Sequence, residues 1–417
     1  MTFKDLNIAE PILRAVGEKG YTDATPIQQQ GIPVALSGRD MLGIAQTGTG
    51  KTAAFAVPII QQIWTSRLQE RKAAEGDVKG VQSKDTTDTQ PQAGQEEGRP
   101  SRKDRRGRSH GKWQGRREIK ALVLTPTREL AIQICDCFAD YGKYTGLRHS
   151  VIFGGVKQGP QTEKLKQGVD ILIATPGRLH DLIGQGFINL DHIRHFVLDE
   201  ADQMLDMGFI GDIRKLLPML PYKRQTLFFS ATMPQSIVAL SKSMLNNPKR
   251  VEVTPVSSAV DNIEQCIYFV EKPAKKKLLV NVLRKQREES VLVFSRTKHS
   301  ADNISKSLKK AGIQSEAIHG DKSQNQRQRG LAHFKACKLK VMVATDIAAR
   351  GIDIDQLGVV INYDLPDVAE TYVHRIGRTG RAGHSGKAFT FCSQDEHMMV
   401  KDIQELTGKK LEMILVS

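Results

Sequence analysis

Two regions of the chain repeat one pattern: a short run of consecutive apolar residues, a polar or glycine-rich turn, then apolar positions at helical spacing. In the first region the runs are Ala121 to Leu124, Val169 to Ile173, His195 to Leu198 and Thr226 to Phe229. In the second they are Ser290 to Phe294, Lys340 to Val343, Val359 to Ile361 and Ala388 to Phe391. Runs this short and this rich in Val, Ile, Leu and Phe predict strands buried on both faces, and their alternation with helices predicts parallel sheets. The polar turns follow the carboxyl ends of the strands, where open α/β sheets place their ligands. At 417 residues the chain is too long for one ordinary core, so two α/β domains in tandem are expected. The small, polar stretch Val253 to Val260, interrupted by Pro255, reads as a linker. The expected division is therefore 1–252 for the first domain, 253–260 for the linker and 261–417 for the second.

One segment fits neither region. From about Ser66 to Glu118 apolar periodicity disappears, and Gln, Lys, Arg, Gly, Asp and Thr dominate. Such a composition buries too little apolar surface to offset the entropy of ordering, which predicts a disordered insert in the first domain. Between Arg99 and Arg117 it carries nine basic residues against one acidic, with Trp113 among them. Two readings follow: an auxiliary electrostatic grip on a polyanion with an aromatic ring to stack, or a solvated spacer.

Charge points the same way. The formal net charge is +15 and the pI about 9.5, which favours a polyanionic partner. No apolar stretch approaches the roughly 20 residues needed to span a bilayer, and the start lacks a signal-peptide layout, so a cytoplasmic protein is expected. Cys135, Cys137, Cys266, Cys337 and Cys392 are odd in number and scattered, without metal-ligand spacing, and are expected as reduced thiols, mostly in the core.

Two motifs carry chemistry. Ala45-Gln46-Thr47-Gly48-Thr49-Gly50-Lys51-Thr52 follows a strand-like segment and opens a helix, the layout of a phosphate loop. Glycines let backbone N–H groups face phosphates, Lys51 would reach the outer phosphates, and the Thr52 hydroxyl would bind Mg²⁺. Ala45 departs from the glycine usual at the motif's first position, while Gly48 and Gly50 keep the freedom nearest the phosphates. Asp199-Glu200-Ala201-Asp202 ends the run His195 to Leu198. A carboxylate at a buried strand's end suits Mg²⁺, so Asp199 is the metal-side acid, and Glu200 would orient the attacking water.

With Ser230-Ala231-Thr232, these four residues resemble the DEAD-box family of ATP-dependent RNA helicases, and the resemblance runs through nearly the whole chain. It implies two RecA-like domains that bind ATP, Mg²⁺ and single-stranded RNA and unwind short duplexes. Gly20 to Gln28 resembles the adenine-reading motif, with Ala24 where the family usually has proline. There Gln28 would bond the adenine edge and Phe3 would stack on the ring. Gly48, Thr49, Gly50, Lys51 and Thr52 would line the phosphates, and Gly351 and Asp353 would sit near the ribose. Pro126, Arg128, Gly155, Thr175 and Arg178 resemble the first domain's RNA-backbone motifs, and Arg296, Gln324, Arg327 and Thr345 the second domain's. In His374 to Gly383, Arg378 and Arg381 would be arginine fingers. Asp202, Ser230, Thr232 and His374 would couple the ATP site to the rest. Leu205-Asp206-Met207-Gly208-Phe209 looks closest to the bacterial RhlE-type subgroup.

Contacts to phosphate and sugar imply little sequence preference. A monomer is expected, with ribosome-assembly or RNA-decay proteins as candidate partners. Two other readings stay open on sequence grounds: a DNA-directed helicase, and an ATP-gated RNA clamp or annealing chaperone with little unwinding.

Overall fold

The computed structural model describes residues 1–46, 48–81, 117–253, 263–286, 290–349, 357–380 and 385–415, without the side chains of 74–81. Among them, fourteen strands form two all-parallel sheets of seven. The first holds β1 (Met41–Ile44), β2 (Ala121–Leu124), β3 (His149–Ile152), β4 (Ile171–Ala174), β5 (His195–Leu198), β6 (Gln225–Ser230) and β7 (Lys249–Glu252). The second holds β8 (Ile263–Phe269), β9 (Val291–Phe294), β10 (Ser315–Ile318), β11 (Val341–Ala344), β12 (Val359–Asn362), β13 (Gly386–Cys392) and β14 (Glu412–Met413). Their orders are β3-β4-β2-β5-β6-β1-β7 and β10-β11-β9-β12-β13-β8-β14. Renumbering the second sheet from its first strand gives the first sheet's order, so the chain folds the same topology twice.

Alternate residues of the central strands enter two cores. Val123, Ile173, Val197 and Phe229 pack on one face with Ile27, Phe55 and Phe138 from helices Pro26–Leu36, Lys51–Val81 and Arg128–Tyr141. Leu122, Leu172, Phe196 and Phe228 pack on the other with Leu179, Met204 and Leu240. Helices on both faces are what a parallel sheet requires.

Strand order also sorts the predicted motifs. The phosphate loop and the acids follow β1 and β5, and Ser230 ends β6; the three strands are neighbours in the sheet. Arg128, Gly155 and Thr175 follow β2, β3 and β4, also neighbours. One half of the sheet edge thus carries the nucleotide residues and the other half the candidate RNA track.

The expected disorder from Ser66 is corrected in part. Helix Lys51–Val81 continues sixteen residues into that segment, and Arg117 and Glu118 close its far side in ordered backbone. Good helix formers such as Arg67, Leu68, Gln69 and Glu70 propagate a helix that the core-facing first turns have already nucleated. Ion pairs then hold it: Asp170 meets Arg117 at 2.5 Å and Arg67 at 3.5 Å, and Glu70 meets Arg194 at 3.5 Å. Residues 82–116, Trp113 included, lie outside the described residues, as do 254–260 of the expected linker. Val253 donates its N–H to the Ile44 carbonyl at 3.0 Å and so extends the first sheet. All five cysteines are free; Cys266 and Cys392 are buried, Cys135 and Cys137 half-buried, and Cys337 exposed.

Candidate active site

The phosphate loop leaves β1 and turns into helix Lys51–Val81 through Gly48 and Gly50, at φ 87° and 90°. Gly50 also permits a close approach, since a Cβ there would meet Gln28 Nε2 at 2.3 Å. That packing reflects two bonds. Gln28 Nε2 donates to the Gly50 carbonyl at 3.1 Å, and Gln28 Oε1 accepts the Thr25 N–H at 2.9 Å. The amide expected on the adenine edge therefore ties the adenine motif to the phosphate loop. Phe3, expected on the adenine ring, is only 4% exposed and belongs to the first core cluster. Thr49 Oγ1 bonds the Gln46 carbonyl at 2.8 Å and tightens the turn.

Lys51 and Asp199 face each other at 3.9 Å, both buried. Among the described residues, Lys51 Nζ has no hydrogen-bond acceptor. Burial pushes the Asp199 carboxyl above its ordinary range, against the pull of Lys51 and with Glu200 and Asp202 adding to the push. A buried ammonium without an acceptor beside a carboxylate that resists ionising is a site short of oxygen ligands and of positive charge. Phosphate oxygens and a hard divalent cation supply both, so the residues fit Mg²⁺ with Asp199 and the Thr52 hydroxyl as oxygen donors.

Glu200 is held in left-handed backbone at φ 51°, ψ 52°, where the strand breaks into helix Ala201–Asp206. Non-glycine residues keep that conformation only where the surroundings impose it. Two residues on, Asp202 joins the acids to Ser230 and Thr232. Its Oδ2 accepts from the N–H groups of Ala231 (3.2 Å) and Thr232 (2.9 Å) and from Thr232 Oγ1 (3.0 Å). Its own N–H donates to Ser230 Oγ at 3.2 Å, and that hydroxyl donates on to the Thr232 carbonyl at 2.7 Å.

The second domain closes this site. Gln46, Lys51, Glu200, Asp202 and Gln203 share one cavity with Val373, His374, Gly377 and Arg378. His374 lies on helix Ala369–Ile376 and Arg378 just beyond its end. The three arginines of that motif separate by position. Arg375 is 2% exposed and spends its guanidinium on Asp346 (2.6 and 2.7 Å), the Asp364 carbonyl (2.6 Å) and Asn362 (3.3 Å). Arg378 faces the cleft. Arg381, with Gly351 and Asp353, lies outside the described residues.

The candidate RNA residues gather less evenly. Arg128 packs on Gly155, where a Cβ would meet its Nη1 at 2.1 Å, and bonds Gln324 across the cleft at 3.3 Å. Burial, then the nearby charges of Arg327 and Arg178, disfavour its charged form, and Glu129 opposes them. Glu129 is buried and takes Gln324 Nε2 and Arg327 Nη2 at 2.9 Å each, so it bolts the two domains together. Arg178 bonds the Val156 carbonyl at 3.3 Å, next to Gly155. Pro126 is buried, Thr175 caps helix Pro176–Gly184, and Thr345 directly follows β11. Arg296 is held within its own domain by the Leu365 carbonyl (3.0 Å) and Glu396 (3.1 Å). Glu129 stands next to Arg128 in sequence, and that adjacency was its only signal. Gln203 and Arg375 had none beyond adjacency to better motifs.

A phosphate loop and an acid pair on one RecA-like domain, facing an arginine segment on a second of equal topology, define an ATPase of the tandem-domain helicase class. A DEAD/DEAH box helicase family model matches residues 25–240, and a helicase conserved C-terminal domain model matches 274–383. The chain belongs to the DEAD/DEAH box helicase family. It is 39% identical over 412 residues to the ATP-dependent RNA helicase RhlB of Pseudomonas syringae, covering 98% of this chain and 93% of that one. It is 38% identical over 406 residues to DEAD-box ATP-dependent RNA helicase 30 of Arabidopsis thaliana, covering 97% of this chain and 61% of the longer plant protein. The structure of S. cerevisiae Dbp5 bound to RNA and ADP BeF3 superposes with a TM-score of 0.78 at 27% identity, covering 99% and 95% of the two chains. No helix among the described residues is long and apolar enough to cross a membrane.

Proposed function

We infer that the chain is an ATP-dependent RNA helicase whose RNA-stimulated ATPase is assembled from both domains. The observation that carries this is the shared cleft. Lys51, Glu200 and Asp202 of one domain and His374 and Arg378 of the other line a single cavity. Lys51 would bind the outer phosphates. Mg²⁺, held by Asp199 and Thr52, would neutralise phosphate charge there. Glu200 would orient water for attack, and Arg378, with Arg381, would stabilise charge on the transferring phosphoryl group. Asp202, through Ser230 and Thr232, would pass the state of the nucleotide to the rest of the first domain.

RNA would lie over the β3-β4-β2 half of the sheet edge and its counterpart in the second domain. Arg128 supports this: burial, then the nearby charges of Arg327 and Arg178, disfavour its charged form, and a phosphate beside it would offset them. Contacts of that kind read backbone and carry little sequence preference. ATP and RNA each bridge the two domains, which makes their binding mutually favourable. Closure on a bent single strand, costing a few kcal/mol per unstacked step, would melt only a short stretch of duplex.

Glu200→Gln tests the chemistry. Turnover should fall by about 10²–10⁴-fold, the usual weight of a positioned acid–base group, while ATP and RNA still bind. Turnover like that of the wild type removes the water-orienting role.

A further inference from the structure

Every strand of the first sheet runs the same way, so all begin along one edge, opposite the edge of the phosphate loop and the candidate RNA track. Four residues standing immediately before a strand there are basic: Arg148 before β3, Lys120 before β2, Arg194 before β5 and Arg224 before β6. Backbone bonds set them side by side. The Arg148 carbonyl accepts the Asp170 N–H (2.7 Å), Asp170 the Lys120 N–H (2.8 Å), Lys120 the Arg194 N–H (2.8 Å), and Arg194 the Gln225 N–H (2.9 Å). Exposed Arg39 and Lys249, at the starts of β1 and β7, continue the row. The topology does not demand these charges. At the matching places before β10, β9, β12 and β13 of the second sheet stand Gln314, Ser290, Gly358 and Ser385, while Lys340 takes the place of Asp170.

The acids within the row are turned inward. Asp40 is buried and accepts the N–H groups of Thr226 and Asn246 at 2.7 Å each. Asp170 is buried and accepts the Arg148 N–H at 2.7 Å as well as the Arg117 guanidinium. A cavity of about 700 Å³ opens in the row, where Arg67, Arg117, Lys120 and Arg194 meet Glu70, Glu118 and Asp170. Burial disfavours the charged form of Arg67; Asp170 counters this, and Arg117, Arg71 and Arg148 add to it. Glu70 and Glu118, both exposed, pair with Arg194 at 3.5 Å and Lys120 at 2.6 Å. Exposed pairs of this kind contribute little, and a polyanion that gains several cations at once can displace them. Tyr222, 96% exposed, precedes Lys223 and Arg224 and offers a ring to a base. Phosphates spaced along a strand whose bases can stack fit a row of cations beside an open ring.

We propose that this edge of the first sheet is a second RNA-binding surface, which holds the phosphate backbone of the single strand flanking the segment in the cleft. The inference rests on RNA being the ligand of the cleft. Strands of four to six residues, at about 3.3 Å each, put the row roughly 13–20 Å from the opposite edge, so only the flanks of a strand seated in the cleft reach it. A strand anchored there stays with the protein when the cleft opens.

The test measures RNA affinity of the full chain against salt, for a short strand that fills the cleft and for the same strand with single-stranded extensions. Arg148→Gln, Arg194→Gln and Lys223→Gln together should weaken binding of the extended strand about tenfold at low salt. The slope of log affinity against log salt should become shallower by about 2, at about 0.7 per phosphate contact. Affinity for the short strand and kcat of RNA-stimulated ATPase should stay within about twofold of wild type, which also reports an intact fold. Should that protein melt early, Arg39→Gln with Lys249→Gln, at the other end of the row, should make the slope shallower by about 1. Replacing Lys306, Lys309 and Lys310, exposed cations of the second domain, with Gln removes as much charge and should leave the slope unchanged. Unaltered affinity for the extended strand in the row variants, equal loss on both strands, or equal loss in the lysine control overturns the proposal. Failure of the underlying reading appears separately, as a wild-type chain that neither binds the short strand nor hydrolyses ATP faster with it.

Discussion

His195 illustrates how a single buried residue ties this fold to pH. It is the first residue of β5, the strand that ends in the acids, and its Nδ1 meets Gln225 Oε1 at 3.1 Å. Burial lowers its pKa to about 4, the Gln225 bond only partly opposing. Folded and unfolded chains therefore bind protons differently between about pH 6.5 and 4. As pH falls through 6.5 the unfolded chain gains a proton that the folded one refuses, so stability present above 6.5 is lost down to about 4. The full loss from this group is about 3 kcal/mol. His195→Gln should flatten the stability profile over that window in denaturant melts, and an unchanged slope would exclude the group as the cause. At this scale the sequence marked Lys51, Asp199 and Glu200 by pairing, since a glycine-rich turn or an acid cluster alone is often structural and each motif gained weight only from the other. It was silent on Gln203 and Arg375, whose residue types are ordinarily solvated and whose burial comes from the opposite domain or from neighbouring elements. Phe3 and Gln28 were legible as motif residues, but not as members of the core and of a brace on the phosphate loop.

Among elements, the strands legible in advance are the central ones. β2, β5 and β9 are covered on both faces and flanked on both edges, so they are uniformly buried and apolar except for His195 at the start of β5. The strands that composition hid are largely those at or near the sheet edges. β3, β7, β10 and β14 are terminal in the strand order, and β7 exposes Lys249, Arg250 and Glu252 and buries Val251. Edge strands need fewer apolar residues and carry charges that discourage further pairing. The helix Lys51–Val81 escaped for a related reason: just past Ser66, Arg67 and Glu70 tie it to Asp170 and Arg194 by charge. This changes how the insert is tested. Deleting 66–117 would remove both Arg67 and Arg117 from Asp170 and unsettle the domain. Deleting 82–116 spares them, and should weaken RNA binding and make its salt dependence shallower, since released counterions scale with basic contacts. Affinity unchanged at low salt would assign the insert to spacing alone.

Across the whole molecule, one topology is used twice and the chemistry is divided between the copies. The first sheet supplies the phosphate loop and the acids, and the second supplies His374 and Arg378. Glu129, buried against Gln324 and Arg327, joins the RNA-side halves at a second point. Neither half lines that cavity alone, and the proposed function has nucleotide and RNA act by bringing the halves together. Two tandem α/β domains followed from hydrophobic pattern and length; that they share one strand order did not, because their sequences differ and topology depends on pairings between distant segments. The central claim, that closure of this cleft by ATP separates RNA strands, is tested most directly by strand displacement on a short RNA duplex beside a DNA duplex of the same sequence. The account predicts ATP-dependent release of the RNA strand, accompanied by RNA-stimulated ATP hydrolysis, and little of either with DNA. Equal release and stimulation by DNA, or ATP hydrolysis with RNA that leaves the duplex intact, would contradict it.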